Sequence, residues 1–228
     1  MKNLSVSMTR SEITGGWIYL VLQLLPIPLA LDIFNQLQPT PMSDAKLNFI
    51  YFCINFICTT VIFRKYLIAN IKIAFQNIKR TLRTAVCGYA LYWGLAMAVS
   101  LFILAVYPEF VNVNDDSISN MLTDNRELML IGTILLVPVA EELLYRGLVF
   151  RSIYAKNKLL GFVVSIFVFA VLHIWAYIGS YDLFHLFLCF LQYIPAGICL
   201  AWAYVNSDSI VAPILIHIFV NAIGMLSM

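Results

Sequence analysis

The chain has 228 residues, 62% of them hydrophobic and 11% charged, with a mean hydropathy of +0.88 and a formal net charge of +2. A soluble globular domain carries about a quarter charged residues, so the composition excludes that class and reads as a polytopic membrane protein. The small positive excess is accounted for by a basic stretch meeting anionic lipid headgroups, with no nucleic acid as partner.

Seven apolar runs follow one another, each near the ~20 residues that cross about 30 Å of hydrocarbon as a helix. The first, 17–34, is interrupted by Gln23, Pro26, Pro28 and Asp32, and the second is 47–63. Residues 64–83 mix Lys65, Lys72, Lys79 and Arg80 with apolar side chains and contain no acid, the pattern of an interfacial amphipathic helix. Further runs cover 84–106, 127–154, 159–178, 183–205 and 210–226. The expectation is an all-α membrane protein of about seven to eight transmembrane helices with an additional cationic interfacial helix. Lys2, Arg10, Arg151, Lys156 and Lys158 join the basic stretch on one side. The opposite connectors, 35–46 and 107–126, carry Asp44, Glu109, Asp115, Asp116 and Asp124. The positive-inside rule then predicts a cytoplasmic N-terminus and, after an odd number of spans, an external C-terminus. No cleavable signal peptide is evident. Cys53, Cys58, Cys87, Cys189 and Cys199 all fall in spans and read as packing residues.

Three later spans carry polar groups that a scaffold would avoid. Glu141 and Glu142 lie side by side with Arg146 in the fourth span, His173 lies in the fifth, and His217 with Asn221 in the seventh. A carboxylate at bilayer depth costs roughly 2.5–3.5 kcal/mol on insertion scales. Glu142 and Arg146 are i and i+4 and share a helix face, which predicts an ion pair. Glu141 is rotated about 100° away and is the candidate reactive acid, since pairing one carboxylate and not its neighbour separates their proton affinities. His217 and Asn221 share a face by the same spacing, as do Phe169 and His173. A shared wet cavity is the cheapest interior for all of them. His185 has no polar companion at helical spacing and reads as an ordinary interhelical group, and Asp32 as solvated.

In this order the residues resemble the signature of the CPBP family, the CAAX prenyl protease and bacteriocin-processing (Abi) group of intramembrane endopeptidases. E-E-x-x-x-R stands as Glu141 to Arg146, F-x-x-x-H as Phe169 to His173, and H-x-x-x-N as His217 to Asn221. The resemblance runs from about Leu128 to the C-terminus. It divides one continuous membrane domain into N-terminal helices, 1–126, and a catalytic core, 127–228. It implies peptide-bond hydrolysis in which Glu141 activates a water, His173 orients it, and His217 and Asn221 donate to the developing oxyanion. Glu142, Arg146 and Phe169 are then structural support. No cofactor is the favoured reading. The alternative is a zinc ion on Glu141, His173 and His217, a His₂Glu set without the H-E-x-x-H spacing.

The expected substrate is a membrane-presented peptide or protein, with a role in bacteriocin processing or self-immunity. The competing reading is a non-proteolytic immunity protein that binds a bacteriocin or its receptor. A proton-coupled transporter is weaker, because Phe169 and Asn221 have no task in it.

Overall fold

The computed structural model describes residues 4–228, so Lys2 lies outside the described residues. Among those residues the regular elements are all helices, with an isolated bridge between Ile178 and Tyr181. Helix α1 (Arg10–Leu24) opens with a capping box in which Thr9 and Glu12 satisfy each other's backbone N–H groups. It breaks at Leu25. Helix α2 (Pro26–Gln36) restarts on Pro26, where a missing N–H is harmless, and the pair is bent by 42°.

Helices α3 (Asp44–Ile62), α4 (Arg64–Gln76) and α5 (Ile78–Val106) follow. The basic stretch 64–83 is therefore not a single interfacial helix. The chain leaves helical geometry at Asn77, and Lys79, Arg80 and Arg83 form the start of the 29-residue α5. Arg80 Nε donates to the Asn206 carbonyl at 2.6 Å, and Thr81 Oγ1 to the Ala74 carbonyl, which pins this corner. Helix α4 itself is amphipathic. Tyr66, Asn70 and Ala74, four residues apart, are buried, while Lys65, Ile68, Lys72 and Phe75 are exposed. Its first turn has an orphan donor, the Tyr66 N–H, which Glu12 accepts at 2.8 Å. Asn70 accepts the Ile210 N–H, and the Tyr66 and Tyr204 hydroxyls are hydrogen-bonded.

The acidic connector holds helix α6 (Val113–Asp124), N-capped by Asn112 and carrying Asp115 and Asp116 in its first turn, where acids complement the helix dipole. Then come α7 (Arg126–Tyr154), α8 (Lys158–Ile174) with a 3₁₀ turn at Trp175–Tyr177, α9 (Leu183–Ser207) and α10 (Val211–Ser227). By length and composition α3, α5, α7, α8 with its 3₁₀ turn, and α9 can each cross a membrane, and the bent α1–α2 pair makes a sixth. All seven apolar runs become helix, and the first and the last depart from a straight span of full length. The first is broken at Leu25, and α10 is apolar over only 17 residues.

Helix α7 is the axis of the bundle. Half of its most apolar window is buried, against 6% in α5, whose Leu82, Val86, Trp93 and Leu101 face outward. Every residue of the stretch Glu142–Phe150 is buried. The cysteines are all free.

Candidate active site

Helix α7 is not a regular α-helix. Residues Gly132–Leu136 and Glu142–Phe150 are π-helical, with hydrogen bonds one residue longer than in an α-helix. Such stretches often accompany functional sites, because they re-aim side chains on an otherwise regular helix. Between them lies the segment Val137–Glu141, so the two glutamates fall at its junction with the second π stretch.

The glutamates have different surroundings. Glu142 is sealed, and its Oε1 meets Arg146 Nη1 at 2.8 Å and His217 Nδ1 at 2.9 Å. The i,i+4 partner was legible in the sequence, whereas the histidine 75 positions away was not. Arg146 is also fully buried, and its guanidinium carbon sits 4.2 Å from the centroid of the Phe169 ring. A cation over an aromatic face compensates part of the desolvation, while Arg146 Nε and Nη2 have no hydrogen-bond partner among the described residues. Phe169 also packs edge-on to His217 and lies 4.5 Å, ring to ring, from His173. One phenyl ring thus holds the guanidinium and both imidazoles.

Glu141 faces a cavity of about 770 Å³, which Phe169, His173, His217 and Asn221 also line. Glu142 and Arg146 are not part of its wall. The spacing of the three motifs therefore converges on one chamber. Glu141 Oε2 lies 3.9 Å from His217 Nε2, too far for a hydrogen bond and near enough for attraction.

The hydrogen bonds select tautomers. Glu142 can only accept from His217, so Nδ1 carries a proton there and Nε2 is left toward Glu141. His173 Nδ1 donates to the Phe169 carbonyl at 2.7 Å, and its ring stacks on Tyr193 at 4.2 Å. In a neutral His173 this leaves an acceptor lone pair on Nε2. Asn221 Nδ2 donates to the Thr133 carbonyl at 2.8 Å, which commits one of its two amide hydrogens.

Sequence reasoning missed Tyr193, which fixes the His173 ring plane, and Thr133, which anchors Asn221. It also missed Asn112 and Asp115 in the wall of the chamber, where Asn112 donates to Gln192, a residue whose spacing reads only as an interhelical hydrogen-bonding group. Asp115 is crowded there, and desolvation raises its carboxyl above the usual carboxylate range, opposed by a hydrogen bond from Tyr193. Nothing in the local pattern of α6 pointed inward. His185 and Asp32 stay outside the chamber. His185 Nε2 bonds the Val111 carbonyl, and Asp32 is exposed.

Among the described residues no group of three or more His, Cys, Asp or Glu side chains is arranged to hold a metal ion. Glu141, His173 and His217 share the chamber, and because the Nδ1 atoms of both histidines are bound elsewhere, Nε2 is the nitrogen each would offer to a metal.

Residues 124–223 match the family model described as Rce1-like, Type II CAAX prenyl endopeptidase Rce1-like. No curated protein and no solved structure matches the chain. The matched segment contains all three motifs, so the similarity to this family rests on the part of the chain that lines the chamber.

Proposed function

We propose that the chain is an intramembrane endopeptidase that cuts a membrane-presented peptide with a water activated by Glu141. The observation that carries this reading is the asymmetry of the glutamate pair. Glu141 lines the chamber, while Glu142 is sealed behind it against Arg146 and His217.

In this reading water, held between Glu141 and the free Nε2 of His173, attacks the scissile carbonyl carbon as the Glu141 carboxylate takes its proton. The oxygen of the tetrahedral intermediate accepts hydrogen bonds from His217 Nε2–H and from the uncommitted hydrogen of Asn221. Donors of this kind are worth about 3 kcal/mol each in a sheltered site. Glu141 then returns the proton to the departing amine nitrogen as the C–N bond breaks. The donor role requires a hydrogen on Nε2 in addition to the one that Nδ1 gives to Glu142. Each chemical role falls to a residue of this chain, and the mechanism proposed uses no metal.

The test uses the purified protein in proteoliposomes with fluorogenic bilayer-embedded peptides. Glu141→Gln is expected to lower turnover by at least about 100-fold, the lower range for a positioned general base, with unchanged thermal unfolding in detergent. Cleavage by Glu141→Gln at the wild-type rate would rule the mechanism out. A zinc chelator is expected to leave the wild-type rate unchanged, and a loss restored by zinc alone would return the metal reading. In toxin-challenged cells the same variant separates proteolytic from binding-only bacteriocin immunity, since only the latter survives the substitution.

A further inference from the structure

Asn221 reaches the chamber from α10, yet its amide is fastened to the backbone of α7 at the Thr133 carbonyl, 2.8 Å away. A helical carbonyl ordinarily already has its partner inside the helix. The local register explains the opening. Within Gly132–Leu136 the bonds run five residues back, and the Val137 N–H reaches the Gly132 carbonyl. The next amide in that register is residue 138, and its acceptor would be the Thr133 carbonyl. Residue 138 is proline and has no N–H to give.

We infer that Pro138 is a positioning residue, which acts by leaving the Thr133 carbonyl open so that Asn221 is drawn across from α10 and aimed into the chamber. Three features support it independently of the motif. Pro138 is buried in the interior of α7 and three positions before Glu141, where a proline otherwise only weakens a helix. Asn221 is only partly buried, and the bond to Thr133 is its one carboxamide hydrogen bond among those described. The Thr133 hydroxyl, on the same residue and itself buried, has no partner, so the carbonyl is Thr133's link to α10. An N–H at 138 would compete for that carbonyl in the π register. If the helix relaxed to the α register, the Val137 N–H would take it instead. Either way Asn221 loses its anchor.

The inference rests on the reading of Asn221 as part of the reacting set, so its test includes a readout that does not depend on proteolysis. Pro138→Ala is expected to lower kcat at least about tenfold with KM within about twofold, within the cost of misplacing a catalytic group by about 1 Å. Asn221→Ala should cost much less in the Pro138→Ala background than in the wild type, in kcat and in detergent unfolding temperature alike. N-methylalanine at 138, which lacks both the N–H and the ring, should restore wild-type kcat. Additive losses, a wild-type rate for Pro138→Ala, or no rescue by N-methylalanine would overturn the inference. If no variant cleaves peptide, including the wild type, the proposed function fails while the coupling in unfolding temperature still decides the role of Pro138.

Discussion

Glu142 accepts from two nitrogen donors at 2.8 and 2.9 Å while sealed from solvent, and Arg146 beside it has donors to spare. Removing one member of such a buried pair leaves the other charge uncompensated, at a cost of about 3–5 kcal/mol, whereas replacing both with apolar side chains of similar volume is often neutral. Arg146→Ala is therefore expected to destabilise the protein by that order. Glu142→Leu combined with Arg146→Met is expected to regain most of the stability while remaining inactive, because His217 then loses the acceptor that aims its ring. Unfolding in detergent and peptide cleavage measure the two effects separately, and a double variant as unstable as Arg146→Ala would show that the pair itself stabilises the fold. The Glu142–Arg146 contact was legible because four residues along one helix is a local relation. The Glu142–His217 bond was not, since no spacing rule relates α7 to α10.

Between elements, α8 approaches the backbone of α7 closely at the corner where one turns into the other. A Cβ built on Gly161 would lie 2.8 Å from the Tyr154 Cα and 3.0 Å from its backbone nitrogen, with no flexible side chain to yield. Gly161→Ala is expected to cost about 1–3 kcal/mol, the usual range for overpacking. Gly94, with nothing within 4 Å of its Cβ position, offers the opposite case. Gly94→Ala should stabilise by up to about 1 kcal/mol through helix propensity alone. Unfolding temperatures of the two variants in one detergent check both signs. The helices themselves were legible because hydropathy reports burial from water, and each of the seven apolar runs is a helix. What was not legible is backbone register. The break at Asn77 and the two π stretches of α7 depend on which carbonyl each N–H reaches, which leaves little trace in composition beyond Pro138.

Across the whole molecule the basic residues concentrate toward one end. Asp208 accepts from the Ser5 N–H, Asn70 of α4 holds the α9–α10 turn, and Arg80 joins the same corner, which gathers the basic stretch at one end. Met225, near the C-terminus, packs with Ala45 and Met129 at the other, among the acidic connectors. The chamber extends to that acidic end, where α6 forms part of its wall through Asp115 and Ser117. The positive-inside rule puts the basic end in the cytoplasm, and on that rule the chamber is expected to face outward. In a cysteine-free background Ser117→Cys should react with a membrane-impermeant maleimide in intact cells, and Ala155→Cys only after permeabilisation. Modification at Ser117→Cys should also block cleavage, because the adduct stands in the chamber. Labelling of Ala155→Cys from outside would reverse the orientation, and full cleavage after complete modification at 117 would mean that substrate enters by another route.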